Sequence, residues 1–215
     1  MKGLFISFEG TEGSGKSTQI SLVAEHLRYL GYSVRTLREP GGTPIGEEIR
    51  HTLKHSADNY AMTWETELLL MNASRAQLVR EVIRPALARN EIVLSDRFYD
   101  STTAYQGYGR QLDLKMVKAV IEVAVGETRP DLTLLLVVPG EVSQDRLLHR
   151  QSTLPFMRDR IEEADRSFFE RVAKGYQAIA AAEPQRIQQV NAVGKIADIQ
   201  ATIWNLVQPR LKDRG

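Results

Sequence analysis

Apolar positions along the chain follow two rhythms that alternate. Short apolar runs at Leu4–Phe8, Ile92–Leu94 and Leu132–Val138 have the length of buried strands, and Ser33–Leu37 and Ile187–Val190 read as two further short strands. Between them lie stretches with helical spacing. Ser17–Tyr29 repeats Ile20, Val23, Ala24 and Leu27, and Gly31 supplies a stop. Further helices are predicted at about Ile45–Leu53, at Met116–Val125 and at Ile196–Val207. Thr63–Arg89 reads as one long helix or a kinked pair, because Pro85 removes an internal N–H. The charge-dense stretch Asp145–Arg171 is given no element.

Strands alternating with helices predict an α/β fold, a parallel five-stranded sheet covered by helices on both faces. No linker, repeat or low-complexity tract divides the chain, so residues 1–215 are expected to form a single domain. In such sheets ligands bind beyond the carboxyl ends of the strands. The acid of Ser95-Asp96 and the loop Glu39-Pro40-Gly41-Gly42 both fall at such ends.

Composition narrows the function classes. With 42% hydrophobic and 26% charged residues the chain is ordinary for a globular protein. A net charge of +1 offers no overall attraction for nucleic acid or a membrane, and neither partner is expected. Without cysteine, disulfides and thiolate metal sites are excluded. No apolar run approaches the roughly 20 residues of a transmembrane helix, and the N-terminal apolar stretch is too short for a signal peptide. A cytoplasmic protein is expected. His51 and His55 are four apart on a predicted helix, but no third metal ligand accompanies them and a solvent-facing pair is expected.

The strongest chemical signal is Gly10-Thr11-Glu12-Gly13-Ser14-Gly15-Lys16-Ser17, followed by Thr18. It matches the phosphate-binding pattern G-x-x-x-x-G-K-[ST] between a predicted strand and a predicted helix. Glycines let backbone N–H groups close on phosphate oxygens, and the helix N-terminus points its dipole at the same anion. Lys16 adds a mobile charge, and the Ser17 hydroxyl suits a magnesium ion. Asp96, at the end of an apolar strand, stands where such proteins keep an acid near the metal.

A phosphate cradle does not name a reaction. A switch GTPase should carry an N-K-x-D guanine motif, and the chain has none. A motor usually needs more chain and a partner surface. A small-molecule kinase must bring two polyanions together, which calls for extra arginines. Arg38 and Arg97 stand at the ends of the second and third strands, at the expected ligand edge.

Five ordered segments then resemble the thymidylate kinase family: Phe8–Gln19, Arg38–Thr43, Asp96–Arg110, Arg129–Thr133 and Asp159–Glu162. The resemblance spans most of the chain. It implies a P-loop kinase with a small mobile lid, moving the γ-phosphoryl of ATP to dTMP with Mg²⁺, and a homodimer. Gly10 to Thr18 would hold ATP, with Ser17 and Asp96 serving the metal. Arg38 and Arg97 would bind the dTMP phosphate, and Glu12 would reach the 3′-hydroxyl. Arg75 would read the thymine. Tyr105 would pack under the deoxyribose, excluding a 2′-hydroxyl. Ser101, Thr102 and Gln106 would line the same pocket. Met71 stands where relatives stack a phenylalanine on the base. A lid at residues 150–165 would supply an arginine to the transferring phosphoryl, with Arg150 the first choice, Arg158 the second, and Arg160 a further candidate. Two other readings stay open on sequence: a different nucleoside or nucleoside-monophosphate kinase, and a silent nucleotide-binding module.

Overall fold

The computed structural model describes residues 3–153, 160, 161 and 163–212. Strands β1 (Leu4–Glu9), β2 (Val34–Arg38), β3 (Ile92–Asp96), β4 (Leu132–Val137) and β5 (Ile187–Asn191) form one parallel sheet in the order β2-β3-β1-β4-β5. β1 lies at the centre, and all six of its residues are buried. Leu4, Ile6 and Phe8 pack on one face with Leu27, Ile92, Leu94 and Ile203. Phe5 faces the other way, with Val93, Phe98, Leu78 and Ile121. Burial on both faces explains why β1, β3 and β4 read as apolar runs rather than as alternation, while the edge strands β2 and β5 carry partly exposed polar residues.

Register fixes the site. Phe8 pairs with Asp96, and Arg38 pairs with Asp96 from the other side, so three strand ends stand level at one edge. The expected helices are present with shifted ends: α1 (Lys16–Tyr29), α2 (Pro44–Lys54) and α3 (Trp64–Leu78). Thr43 caps α2 by accepting from the Gly46 N–H at 2.9 Å. α3 runs through a π-helical turn, Val79–Ile83, into α4 (Arg84–Ala88). The expected long helix is thus one run, and a wider turn sits just before Pro85, where the regular hydrogen bond is missing.

Three elements were not expected. α5 (Tyr99–Thr102) continues as a π-helical stretch, Thr103–Gly109, ahead of α6 (Leu114–Val125). The charge-dense region holds α7 (Gly140–Thr153) and α8 (Arg166–Ala182), before a closing α9 (Ile196–Lys212). α8 buries Phe168, Val172, Tyr176 and Ala180, a stripe four residues apart, against the π-helical stretch.

Candidate active site

The loop after β1 is forced by backbone contact. Gly10 has φ 134°, and a Cβ there would lie 2.4 Å from the Leu136 carbonyl oxygen. Gly15 caps α1 in a left-handed conformation, without a side-chain hydrogen bond and with no acid in the first turn. The first N–H groups of α1 are therefore left for an anion. Lys16 Nζ folds back to donate to the carbonyls of Gly10 at 3.0 Å and Thr11 at 2.9 Å. Burial, followed by repulsion from Arg97, lowers its pKa to about 8 despite the attraction of Asp96, Glu12 and Glu9.

At the foot of this cradle Ser17 Oγ donates to Asp96 Oδ2 at 2.7 Å. A hydroxyl and a carboxylate are hard oxygen donors, and they fit a divalent cation that takes its other positions from phosphate and water. Among the described residues no group of three or more His, Asp or Glu side chains makes a closed metal cage. Such an open pair suits a metal that arrives with a nucleotide.

Arg97 joins the cradle to a neighbouring cavity. Its backbone has φ 73°, a conformation that non-glycine residues rarely adopt, at the turn leaving β3. Its guanidinium donates to Glu12 Oε1 at 2.7 Å, Ser101 Oγ at 3.0 Å, Tyr105 OH at 3.1 Å and Tyr176 OH at 3.1 Å. Tyr105 OH donates to the second Glu12 oxygen at 2.6 Å. Burial works against the charged form of Glu12, but Arg97, Lys16 and the Tyr105 hydroxyl outweigh it and hold the carboxyl below its ordinary range.

The cavity is open to solvent at its mouth. Eight of the residues implied for dTMP line it together: Met71, Arg75, Arg97, Ser101, Thr102, Tyr105 and Gln106, and Glu12 at the cradle side. Arg75 is 2% exposed and donates to Glu39, Asn72, Thr102 and the Phe98 carbonyl. Arg38 is not drawn into the lining. Its half-exposed side chain donates to Glu47 Oε2 at 2.8 Å and to the Pro40 carbonyl at 3.2 Å. Arg150 lies on α7 with its side chain outside the described residues, and Arg158 lies wholly outside them. Arg160 pairs with buried Glu67.

The sequence pattern gave no role to several groups that matter here. Glu39, Pro40, Lys54 and Ile161 also line the cavity. Burial pushes the Glu39 carboxyl up against the pull of Arg75. Glu9 accepts from the Phe98 N–H at 2.7 Å, Ser101 Oγ at 2.6 Å and Tyr176 OH at 2.9 Å. Burial and the neighbouring Asp100 raise its pKa to about 7, against Arg97 and these donors. Arg146 on α7 bridges the carbonyls of Gly13 and Ala192, each at 3.1 Å, tying the cradle to the end of β5. An acid ending a buried strand was a usable signal for Glu9. Tyr176 lies on the apolar stripe Phe168, Val172, Tyr176 and Ala180, whose spacing is a usable cue to its helix, whereas no local pattern marks Arg146.

Comparison with known proteins agrees with this geometry. A family model described as thymidylate kinase matches residues 8–203. The chain is 44% identical over 216 residues to the thymidylate kinase of Chlorobium luteolum, covering 99% of this chain and 100% of that protein. It is 46% identical over 208 residues to the thymidylate kinase of Synechococcus sp. strain JA-2-3B'a(2-13), covering 97% and 96%. The crystal structure of thymidylate kinase from Ehrlichia chaffeensis superposes with a TM-score of 0.77 at 30% identity, over 97% of this chain and 99% of that one.

Proposed function

The chain belongs to the thymidylate kinase family and is an ATP:dTMP phosphotransferase of dTTP synthesis, and we propose that it works through the cradle and cavity that Arg97 joins. One observation carries the assignment of roles. A single guanidinium touches Glu12 of the phosphate loop together with Ser101 and Tyr105 of the cavity, which supports a reading in which the acceptor phosphate and the ATP γ-phosphoryl would meet at one cation.

In this reading Gly10 to Thr18 hold the ATP phosphates, with Lys16 leaving its loop carbonyls for the β- and γ-oxygens. An oxygen of the dTMP phosphate attacks the γ-phosphorus, and the bond to the β–γ bridging oxygen breaks, releasing ADP. The nucleophile is already an anion, so no strong general base is needed and positioning carries the catalysis. Mg²⁺ held by Ser17 and Asp96 would neutralise charge on the transferring phosphoryl. Arg97 grips the dTMP phosphate, and Arg38 joins it by leaving Glu47, an exposed pair worth only about 0–1 kcal/mol. Glu12 accepts from the 3′-hydroxyl. Tyr105 packs under the sugar, while Met71, Arg75, Ser101, Thr102 and Gln106 enclose the base.

We extend the reading to one domain over residues 1–215 with a lid at 150–165, Arg150 before Arg158 as its phosphoryl contact, and a cytoplasmic homodimer. Exposed apolar side chains on adjacent helices, Leu69 of α3 and Val123 of α6, support the dimer. A monomeric mass at micromolar concentration overturns it. No helix among the described residues is long and apolar enough to cross a membrane. The test of the site is ADP release with ATP and Mg²⁺, offering dTMP, dUMP, dCMP, UMP and thymidine in parallel. Turnover is expected with dTMP well above the rest, and preference for another acceptor would reject the assigned base pocket.

A further inference from the structure

Glu67 on α3 is fully buried. Its Oε1 accepts from Gln106 Nε2 at 2.8 Å and Arg110 Nε at 3.2 Å, and its Oε2 accepts from Arg110 Nη2 at 3.1 Å and from Arg160 Nη2. A carboxylate that pairs with arginines can only accept. Gln106 must therefore turn its NH₂ toward Glu67, and its amide has one orientation rather than two. Among the described residues Gln106 Oε1 has no hydrogen-bond partner, yet it is not among the sealed polar atoms, and Gln106 lines the cavity. The carbonyl oxygen is thus the face that Gln106 offers to a ligand.

Thr102 stands one helical turn earlier on the same wall. Its Oγ1 accepts from Arg75 Nη1 at 2.9 Å, which occupies the oxygen and leaves the hydroxyl proton to donate. Arg75 is itself fixed by Glu39 at 2.7 Å. Two buried ion pairs, Glu39–Arg75 and Glu67–Arg110, therefore set a donor and an acceptor side by side in the base cavity. An adjacent carbonyl and N–H, the imide edge of thymine or uracil, complements that pair. The cytosine edge reverses it, with an amino group and a bare ring nitrogen.

We propose that Glu67 is a positioning residue that sets base specificity, by locking the Gln106 amide so that the cavity reads an imide and rejects cytosine. The proposal rests on the reading of this cavity as the dTMP site, and the experiment separates the two. The kcat and KM of ATP-dependent turnover are measured for dTMP and dCMP in the intact enzyme and in Glu67→Gln, Gln106→Met and the double variant. Gln106→Met keeps Glu67 with its arginines. It is expected to raise KM for dTMP about tenfold, with kcat little changed, and to cut the dTMP-over-dCMP preference by a similar factor. Glu67→Gln frees the amide to turn and should give the same loss of preference, with no further loss in the double variant. If Gln106→Met leaves KM and preference unchanged, the cavity is not the base site and both readings fall. If the two losses multiply in the double variant, or Glu67→Gln lowers the melting temperature alone, Glu67 is structural and only the positioning role is overturned. Should Glu67→Gln not fold, Glu67→Asp keeps the charge while withdrawing the carboxylate from Gln106, and the same comparison decides.

Discussion

Arg97 and Glu12 are paired at 2.7 Å between the end of β3 and the phosphate loop, with both side chains largely withdrawn from water. The pair links the two halves of the site through a fork geometry. The Arg97 guanidinium also lies over the Tyr105 ring, 4.9 Å from its centroid. Lysine keeps the charge but has neither the planar fork nor the stacking face. Arg97→Lys is expected to lower kcat with dTMP by roughly 10²–10³-fold, the usual scale for losing an oriented charge at a developing anion. Steady-state kinetics beside a thermal melt check this. An unchanged kcat in a folded variant would remove Arg97 from the mechanism.

Lys16 gives a pH-dependent prediction. In the role proposed for it the ammonium is the useful form, and burial with Arg97 nearby brings its pKa down to about 8. Below that value the free enzyme carries the charge that ATP requires, and above it the charge is lost. The profile of kcat/KM for ATP, which reports the free enzyme, should therefore fall as pH rises through about 8. Lys16→Met should abolish that limb and lower kcat/KM by roughly 10³-fold, and chelation of divalent metal should stop turnover in either protein. A flat profile to pH 9 in the native enzyme would contradict the role given to Lys16.

The packing of α8 on the π-helical stretch supports a stability prediction whose sign opposes helix propensity. Alanine normally improves a helix interior by about 0.5–1 kcal/mol over glycine. At Gly175, however, a Cβ would lie 2.8 Å from the Tyr108 side chain. Gly175 must be small because Tyr108 crosses it where α8 carries Tyr176 toward Arg97. Gly175→Ala is expected to destabilise by about 1–3 kcal/mol, the range for overpacking, as read by denaturant melts. A rise in stability would show that the two elements separate freely.

The contrast between what was legible and what was not follows from local signals. The central strands β1, β3 and β4 were readable because burial on both faces makes them apolar, whereas the edge strands β2 and β5 carry exposed polar residues, and the Phe8–Asp96 register emerged only with the sheet. The cradle was readable because its glycines and Lys16 are adjacent in sequence. Tyr99–Gly109 escaped because Thr102, Thr103, Gly107 and Gly109 are poor helix formers, and only tertiary burial against α8 holds the segment helical. α8 escaped because Arg166, Glu170, Arg171 and Lys174 mask the Phe168, Val172, Tyr176 and Ala180 stripe, although that spacing was a usable cue. Arg75 was placed on the right helix, but its burial with Glu39 depends on a partner 36 residues away. No local pattern announces such a pair.

Glu9 carries the last prediction. It ends the central strand, accepts three hydrogen bonds, and is 0% exposed. Burial, then the nearby Asp100, raise its pKa from 4.5 to about 7. The folded state thus holds a proton on Glu9 between roughly pH 4.5 and 7, while the unfolded chain has released it. Stability attributed to this group is present below the unfolded value and declines as pH rises, levelling off above about 7 where both states are ionised. Glu9→Gln removes the titration and keeps a polar group for Phe98, Ser101 and Tyr176. The melting temperature of the native protein should fall between pH 5 and 7 more steeply than that of Glu9→Gln, and the variant should gain most at pH 8. Parallel curves across that interval would mean that Glu9 ionises in the folded protein as it does in the unfolded chain.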